Sequence, residues 1–256
     1  MVGVDREGVG AGRPTFVTSE LLVTNGSCVL DEHAARHMRA LRLEAGAIVG
    51  LRDGQGGVAE GQLIRLTKSQ AQIEVQRVDH REPLPAVHLL VPVADKDRML
   101  WLAEKAGELG CTSWRPVMWR RSRSVTPRGE GMSFQARVRA RMEGALAQSE
   151  GAWLPQMFPE ANVERAVLAA PEGDRIVLDP DGEPLLGPAS TTLVGPVTLA
   201  VGPEGGIEAD EMLALERSGF RRASLGPSIL RFETAAIAAL AMARTAMAIS
   251  PRSAHE

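Results

Sequence analysis

The strongest constraint on the fold of this chain is a glycine-rich stretch in its C-terminal half, Val201 to Ile207. The run before it, Val197 to Val201, is apolar and rich in β-branched residues, and it predicts a buried strand. The acids just after it, within residues 208–211, predict the first turn of a helix, where the helix dipole favours negative charge. A strand, a glycine-rich turn and a helix in this order are typical of a ligand-binding loop in an α/β domain.

A second turn, Leu225 to Arg231, follows about one helix later. Two such loops close together predict one pocket built mostly from backbone atoms. The first loop is not a Walker A motif, because it lacks the Gly-Lys-Ser/Thr ending, and it does not match Gly-x-Gly-x-x-Gly. A plain surface turn is the alternative interpretation of such a loop on its own.

The pattern on both sides of Pro83 and Pro85 predicts two domains. Residues 13–82 contain short strand patterns separated by glycine turns, with a helical segment at 32–42, and predict a small β-barrel. The two prolines disfavour both helix and strand, so residues 83–86 are predicted to be a linker. From residue 87 to 250 strand and helix patterns alternate, which predicts a parallel sheet flanked by helices.

Composition excludes several classes of protein. The chain has 256 residues, a net charge of -3, two cysteines and five histidines, with no metal-site spacing. We therefore expect no disulfide framework and no metal. No stretch is apolar enough to span a membrane, and residues 1–12 lack the apolar core of a signal peptide. We expect a cytoplasmic protein with a disordered leader at 1–12 and a tail at 251–256.

Arginines are concentrated in two places. The segment from Trp119 to Met142 carries seven arginines, at positions 120, 121, 123, 128, 137, 139 and 141, against one acid, Glu130. The N-terminal region adds Arg36, Arg39 and Arg42. Such clusters fit a phosphate backbone, and the alternative is a solvated helix face with an arginine-rich loop.

Near the end of the chain, a charged residue, Arg231, stands between apolar segments, and an apolar helix follows it. Arg231 lies between an apolar run and the predicted helix 234–249, where an arginine needs a partner or a function. Glu233 is the alternative structural partner for it. The helix is alanine-rich and apolar on nearly every side, which predicts burial in its own fold on one face and in a partner subunit on the other.

Taken together, these motifs resemble the RsmE family of bacterial methyltransferases, of the SPOUT class. The resemblance spans about Arg13 to Ile249. It rests on Lys96-Asp97-Arg98, residues 104–110, Pro116, Arg121-Ser122, Gln148-Ser149, Pro155, Gly202–Gly206 and Leu225-Gly226-x-x-Ile229-Leu230-Arg231-x-Glu233-Thr234-Ala235. It implies a PUA-like barrel at 13–82, and at 87–250 an α/β SPOUT domain with a C-terminal trefoil knot. It also implies a homodimer formed through the C-terminal domain.

The resemblance further implies S-adenosylmethionine as cofactor and methylation of N3 of a uridine in 16S rRNA of the small ribosomal subunit. The implied cofactor residues are Leu178, Val201, Gly202, Pro203, Glu204, Gly205, Gly206, Leu225, Gly226, Pro227, Ile229 and Leu230, with Leu178, Leu225 and Leu230 around the adenine. Arg231 is the expected stabiliser of charge on the uracil oxygens and Glu233 a candidate base. The expected RNA-binding residues are Arg36, Arg39, Arg42, Arg120, Arg121 and Arg123.

The chain departs from the family pattern around Gln148. Ala147 stands where an acid is expected, and Gly151-Ala152 where an arginine is expected. Two other functions stay open at this point. One is a SPOUT enzyme that methylates a ribose 2′-hydroxyl or a guanine, and the other is a catalytically silent RNA-binding factor for ribosome assembly.

Overall fold

The computed structural model describes residues 13–122, 132–186, 193 and 195–249. The chain divides into two compact units. The first contains the residues up to Pro83 together with Leu146–Trp153, and the second contains Leu84–Ala145 and the residues from Leu154 onward. The expected leader at 1–12 and tail at 251–256 lie outside the described residues. The segment Leu146–Trp153 is the one place where this division departs from the predicted domain bounds.

The first unit is a five-stranded sheet with one helix. Its strands are β1 (Thr15–Val17), β2 (Ser27–Leu30), β3 (Ile48–Arg52), β4 (Gly57–Leu66) and β5 (Ala71–His80), in the order β1-β3-β4-β5-β2. β1 pairs with β3 in parallel, and the other pairs are antiparallel. Helix α1 (Glu32–Ala40) begins at Asp31, whose side chain accepts a hydrogen bond from the Ala34 amide. The sequence prediction missed β2, because four residues are too few to establish a period.

The segment that departs from the family pattern is held to this unit by hydrogen bonds. Arg52, which is 1% exposed, donates from Nε to the Gly151 carbonyl at 3.1 Å. The Gly56 amide donates to the Ala152 carbonyl at 2.9 Å, and Trp153 Nε1 donates to the Arg81 carbonyl at 2.8 Å. Because these bonds use backbone atoms of the segment, they do not depend on the missing acid and arginine.

The second unit is an α/β sheet. Its strands are β6 (Val87–Pro92), β7 (Ser113–Met118), β8 (Gln156–Met157), β9 (Ala161–Asn162), β10 (Asp174–Pro184), β11 (Val197–Val201) and β12 (Phe220–Ser224). The order is β12-β10-β11-β6-β7-β8, β9 also pairs with β7, and all these pairs are parallel. All five residues of β11 are buried, as expected for a central strand covered on both faces. The predicted α/β fold class is thereby confirmed, while the trefoil knot stays a prediction.

Five helices accompany this sheet in the described ranges: α2 (Lys96–Glu108), α3 (Met132–Gln148), α4 (Val163–Leu168), α5 (Ala209–Arg217) and α6 (Phe232–Ile249). One face of α6 is buried, at Phe232, Ala236, Ala239, Leu240 and Ala243. The opposite face carries the half-buried Ala238 and Ala241, while the half-buried Ile237 and Met242 still pack against the core. None of the helices in the described residues is long and apolar enough to cross a bilayer.

Candidate active site at the carboxyl ends of the parallel strands

A cavity of about 640 Å³ lies at the carboxyl ends of β10, β11 and β12. Three stretches of chain line it, 178–181, 201–207 and 222–230, together with side chains of α5 and α6. In open parallel sheets ligands bind at this edge, because the strands there end in loops that diverge to leave a crevice. The glycine-rich loop and the second turn, which are about one helix apart in the sequence, therefore meet in one pocket, as predicted.

Nearly all the predicted cofactor residues line this cavity: Leu178, Val201, Gly202, Pro203, Glu204, Gly205, Gly206, Leu225, Gly226, Ile229 and Leu230. Pro227 lies in the same loop as Ile229 but is not part of the lining. The lining also contains Asp179, which belongs to the cofactor loop at 178–180 that the family resemblance implies, and Asp181 and Arg222, which no sequence pattern indicated. They come from β12 and from the part of β10 where its pairing with β12 shifts register. The sequence pattern does not show that these two strands are neighbours.

The glycines of the first loop are required by its shape. Gly206 has a φ of 79°, which side chains disfavour, and its amide donates to the Pro203 carbonyl at 2.9 Å. A Cβ on Gly202 would lie 2.7 Å from Ile207 Cγ1. Helix α5 begins at Ala209, three residues after this turn, and the Glu211 side chain accepts a hydrogen bond from the Glu208 amide at 3.1 Å.

Arginines fasten the glycine-rich loop and the start of α5 from outside. Arg98 of α2 forms an ion pair with Glu204. Arg121 donates to the Gly205 carbonyl at 3.3 Å and pairs with Glu208 at 3.3 Å. These partners lie far from the two arginines in sequence, so no local sequence pattern predicts the contacts.

Arg120 is held in the same way by α5. Its guanidinium contacts Glu208 at 2.6 Å and Asp210 at 2.5 Å, and its backbone amide donates to Glu211 at 2.8 Å. The hydrogen bond from Arg120 lowers the pKa of the Asp210 carboxyl. Arg120 and Arg121, predicted to face RNA phosphates, thus direct much of their charge to the acids of α5, although their side chains stay about half exposed.

The remaining predicted RNA-binding arginines have different surroundings. Arg36 pairs with Glu32 at 3.3 Å, and Arg39 donates to the Lys68 carbonyl at 3.0 Å. Arg42 is exposed, and its side chain makes no hydrogen bond or ion pair with the described residues. Arg123 lies outside the described residues. Of the set, Arg42 is therefore the described arginine most available to an external phosphate.

The second loop of the pocket is open to solvent. Ile229 is 89% exposed and Leu230 is 36% exposed. Arg231 is also exposed and does not line the cavity, and its side chain has no hydrogen bond or ion pair to the described part of the chain. The expectation that Arg231 carries a burial cost is wrong, because the apolar residues before it are themselves exposed and its guanidinium stays hydrated.

Glu233 is the buried acid of this site. It is 7% exposed, and its nearest cation is Arg98, whose Nε lies 3.8 Å from Oε1. Its Oε2 has no hydrogen-bond partner among the described residues. The alternative pairing of Glu233 with Arg231 is therefore wrong: Arg98, which comes from a different helix, takes that place.

The cavity has the size and chemistry expected for S-adenosylmethionine. Its volume lies in the range that holds a compact organic ligand. Leu178, Leu225 and Leu230 supply apolar contact for a purine ring, while Asp179 and Glu204 supply negative charge for a sulfonium ion. Asp179 is in turn held by Arg222, which lies 3.4 Å away. No cluster of metal-ligating residues is found in the described ranges.

Comparison with known proteins points to a single family. Residues 80–244 match the family model of the RNA methyltransferase domain, and residues 30–76 match that of the RNA methyltransferase PUA domain. The chain is 31% identical over 209 residues to ribosomal RNA small subunit methyltransferase E of Synechocystis sp., covering 79% of this chain and 67% of the relative. The Mycobacterium tuberculosis protein of the same name is 27% identical over 243 residues, 88% of each chain.

A solved structure agrees with these matches. It is the ribosomal RNA small subunit methyltransferase E of Neisseria gonorrhoeae bound to S-adenosyl methionine. It superposes with a TM-score of 0.81 at 27% identity and covers 91% of this chain and 97% of its own. The similarity therefore extends over most of the length of both chains.

Proposed function

Since this chain belongs to the ribosomal RNA small subunit methyltransferase E family, we propose that it transfers a methyl group from S-adenosylmethionine to N3 of a uridine in 16S rRNA. The observation that supports the proposal is the cavity at the ends of β10, β11 and β12, which is lined by two glycine-containing loops. The test is nucleoside mass spectrometry of small-subunit rRNA from cells with and without the protein. Loss of 3-methyluridine without it is the expected result, and an unchanged content of this nucleoside contradicts the proposal.

Uridine N3 is a poor nucleophile until its proton is removed, and negative charge then spreads to the two neighbouring carbonyl oxygens. We assign Arg231 to stabilise that charge. Its exposed guanidinium has no partner in the described residues and directly follows Leu230, which lines the cavity. Glu233 is the candidate base because it is buried with one carboxylate oxygen free of described partners. Holding the reactants close together in a productive orientation supplies much of the remaining acceleration.

The assignment of Arg231 has a direct test. Arg231→Ala should abolish methylation of small subunits while calorimetry still detects S-adenosylmethionine binding. Arg217→Ala is the matched control, since Arg217 is exposed on α5 and has no partner among the described residues. Full turnover by Arg231→Ala would remove this residue from the mechanism.

The acceptor nucleotide has to be presented unpaired, because pairing hides N3. We assign the PUA-like unit, with Arg36, Arg39 and Arg42, to the surrounding phosphates, together with Arg120, Arg121 and Arg123. Affinity for the subunit should then fall steeply as salt is raised. Because small-subunit rRNA is the substrate, we propose a cytoplasmic location.

We further propose a homodimer through the C-terminal unit. The half-buried face of α6 is apolar and includes Ala238 and Ala241, whose small side chains permit close approach of a second helix. Ala241→Glu places a charge on that face and should shift the protein from dimer to monomer in analytical ultracentrifugation. A monomer already in the wild-type protein at micromolar concentration would contradict the dimer.

A further inference from the structure

A second, smaller cavity lies next to the cofactor pocket. Its volume is about 150 Å³, and it is formed at the carboxyl ends of β6 and β11, which are neighbours in the sheet. It is lined by Val93, Ala94, Asp95, Arg98 and Arg121, and it shares Pro203, Glu204, Gly205 and Phe232 with the cofactor pocket. The glycine-rich loop is thus a wall of both cavities.

The sizes of the two cavities match the two partners of a methyl transfer. The larger one is in the range that holds a whole compact ligand, so the cofactor does not need the smaller one. A cavity of about 150 Å³ holds a benzene-sized ring in another protein. The smaller cavity therefore fits one six-membered base, and its shared wall keeps that base beside the cofactor.

The polar lining of the small cavity matches one edge of uracil. That edge presents O2, N3–H and O4, so it needs a hydrogen-bond acceptor facing N3 and donors on either side. Asp95 is already occupied in capping α2, where its Oδ1 accepts from Asp97 and Arg98 amides at 3.1 Å. Arg121 is occupied by Gly205 and Glu208. Arg98 and Glu204 pair with each other through Nη1 and Oε1, which leaves Nη2 of Arg98 and Oε2 of Glu204 without a partner among the described residues.

We propose that this cavity is the subsite for the uracil ring, in which Arg98 donates to O4 and Glu204 accepts from N3–H when the base binds. The N3 proton then passes to Glu233, which contacts the same Arg98, and the methyl group takes its place on N3. The proposal rests on the function proposed above and adds the residues that select the base. Cytosine presents an amino group in place of O4 and has no proton on N3. It would therefore place a donor against Arg98 and a lone pair against Glu204, which disfavours its binding.

The first test is kinetic. Arg98→Lys keeps a positive charge beside Glu204 and Glu233 but loses the planar fork of donors. We expect kcat for uridine methylation in unmodified small subunits to fall by about 100-fold, as for loss of one preorganised donor. Binding of S-adenosylmethionine, measured by calorimetry, should stay within about twofold because the cofactor pocket is intact. Arg217→Lys is the matched control, since the Arg217 side chain is exposed on α5, lies outside both cavities and has no partner among the described residues.

The second test asks whether Arg98 selects the base or only supports the glycine-rich loop. Small subunits in which the mapped target uridine is replaced by cytosine are compared with the natural ones as substrates. For Arg98→Gln, the value of kcat/KM for uridine divided by that for cytosine should fall by about tenfold or more. The reason is that a carboxamide offers both a hydrogen-bond donor and an acceptor, so it can bind either base.

The outcomes distinguish this proposal from the one it rests on. If the wild-type protein does not methylate uridine N3 in small subunits, the proposed function fails. If it does, and Arg98→Gln keeps the wild-type ratio of kcat/KM for uridine to kcat/KM for cytosine, the subsite is refuted even where activity is reduced. A loss of cofactor affinity equal to the loss of kcat also refutes it, because Arg98 then acts only by holding Glu204 and the loop.

Discussion

The two loops that wall the cofactor pocket are built in opposite ways. The glycine-rich loop, residues 202–206, has an internal hydrogen bond, an ion pair from Arg98 and a hydrogen bond from Arg121. The loop at 225–230 makes no hydrogen bond with other described residues, and Ile229 is 89% exposed. One wall is therefore shaped before any ligand arrives, whereas the other exposes apolar surface that a ligand or a second protomer has to cover.

This difference separates two kinds of contribution to binding. Ordering an unfastened loop costs conformational entropy, and that cost is subtracted from the contacts it makes. A fastened loop has already been ordered by folding, so it binds without that cost. Substitutions in the glycine-rich loop should therefore damage the shape of the pocket, while substitutions in the exposed loop should only remove contacts.

The largest expected effect comes from filling the space beside the fastened loop. A Cβ on Gly205 would lie 3.0 Å from Arg121 Cβ and 3.1 Å from the Arg121 carbonyl oxygen, so the valine of Gly205→Val has to displace the loop. Overpacking of this kind costs about 1–3 kcal/mol, and S-adenosylmethionine affinity should fall by about 10- to 100-fold in calorimetry.

Gly195→Val is the control for this substitution, because a Cβ at Gly195 meets no atom within 4 Å. It should bind the cofactor as the wild type does. Equal cofactor affinity for Gly205→Val and wild type would mean that the loop is not fixed against Arg121. It would contradict the claim that the two loops of the pocket differ in rigidity.

The sequence predicted the fastened loop well but not what fastens it. The buried strand β11, the turn and the acids that begin α5 are local patterns, and all lie where they were expected. Arg98 and Glu204 are 106 residues apart, and Arg121 and Gly205 are 84 residues apart. A run of arginines in sequence shows positive charge, but it does not show the acids of another element that offset it.

The open loop was misjudged for a related reason. Hydrophobic neighbours of Arg231 suggested burial, yet Ile229 and Leu230 are exposed. Hydrophobicity along a chain predicts a buried face only where a regular period fixes which side chains share that face, and this loop has none. The short elements β8, β9 and α4 escaped prediction because two to six residues do not establish a period.

An intermediate effect is expected from the exposed loop. Ile229→Ser removes apolar surface that lines the cavity but touches little in the free protein, so its melting temperature without cofactor should not change. If ligand or partner covers this side chain, the loss is about 1–2 kcal/mol, or about 5- to 30-fold in cofactor affinity. Leu168→Ser is the control, since Leu168 is 88% exposed and lies outside the cavity. Identical affinities for the two variants would show that Ile229 stays uncovered in the complex.

The smallest effect is expected from one tether of the fastened side, the ion pair between Arg120 and Asp210. Two contacts join them, at 3.0 Å from Nη1 and 2.5 Å from Nη2, and Arg120 lowers the pKa of Asp210. A carboxyl group with a lowered pKa in the folded state stabilises the fold above its unfolded pKa, and this contribution is lost as pH falls through the folded pKa. Both side chains are exposed, so solvent screens the pair.

Asp210→Asn should therefore lower the melting temperature by only about 1–2 °C at pH 7. The difference from wild type should shrink as pH falls below 3.8, the ordinary pKa of aspartate, and it should also shrink in high salt. Glu172→Gln, an exposed acid without a described partner, is the control. A loss of more than about 5 °C, or one that is the same at pH 3 and pH 7, would mean that one ion pair dominates the fastening. A small, pH-dependent loss of melting temperature would instead mean that many weak contacts together hold the glycine-rich loop and the start of α5. For that reason, a steric change at Gly205 should disturb the loop more than the removal of any one charge.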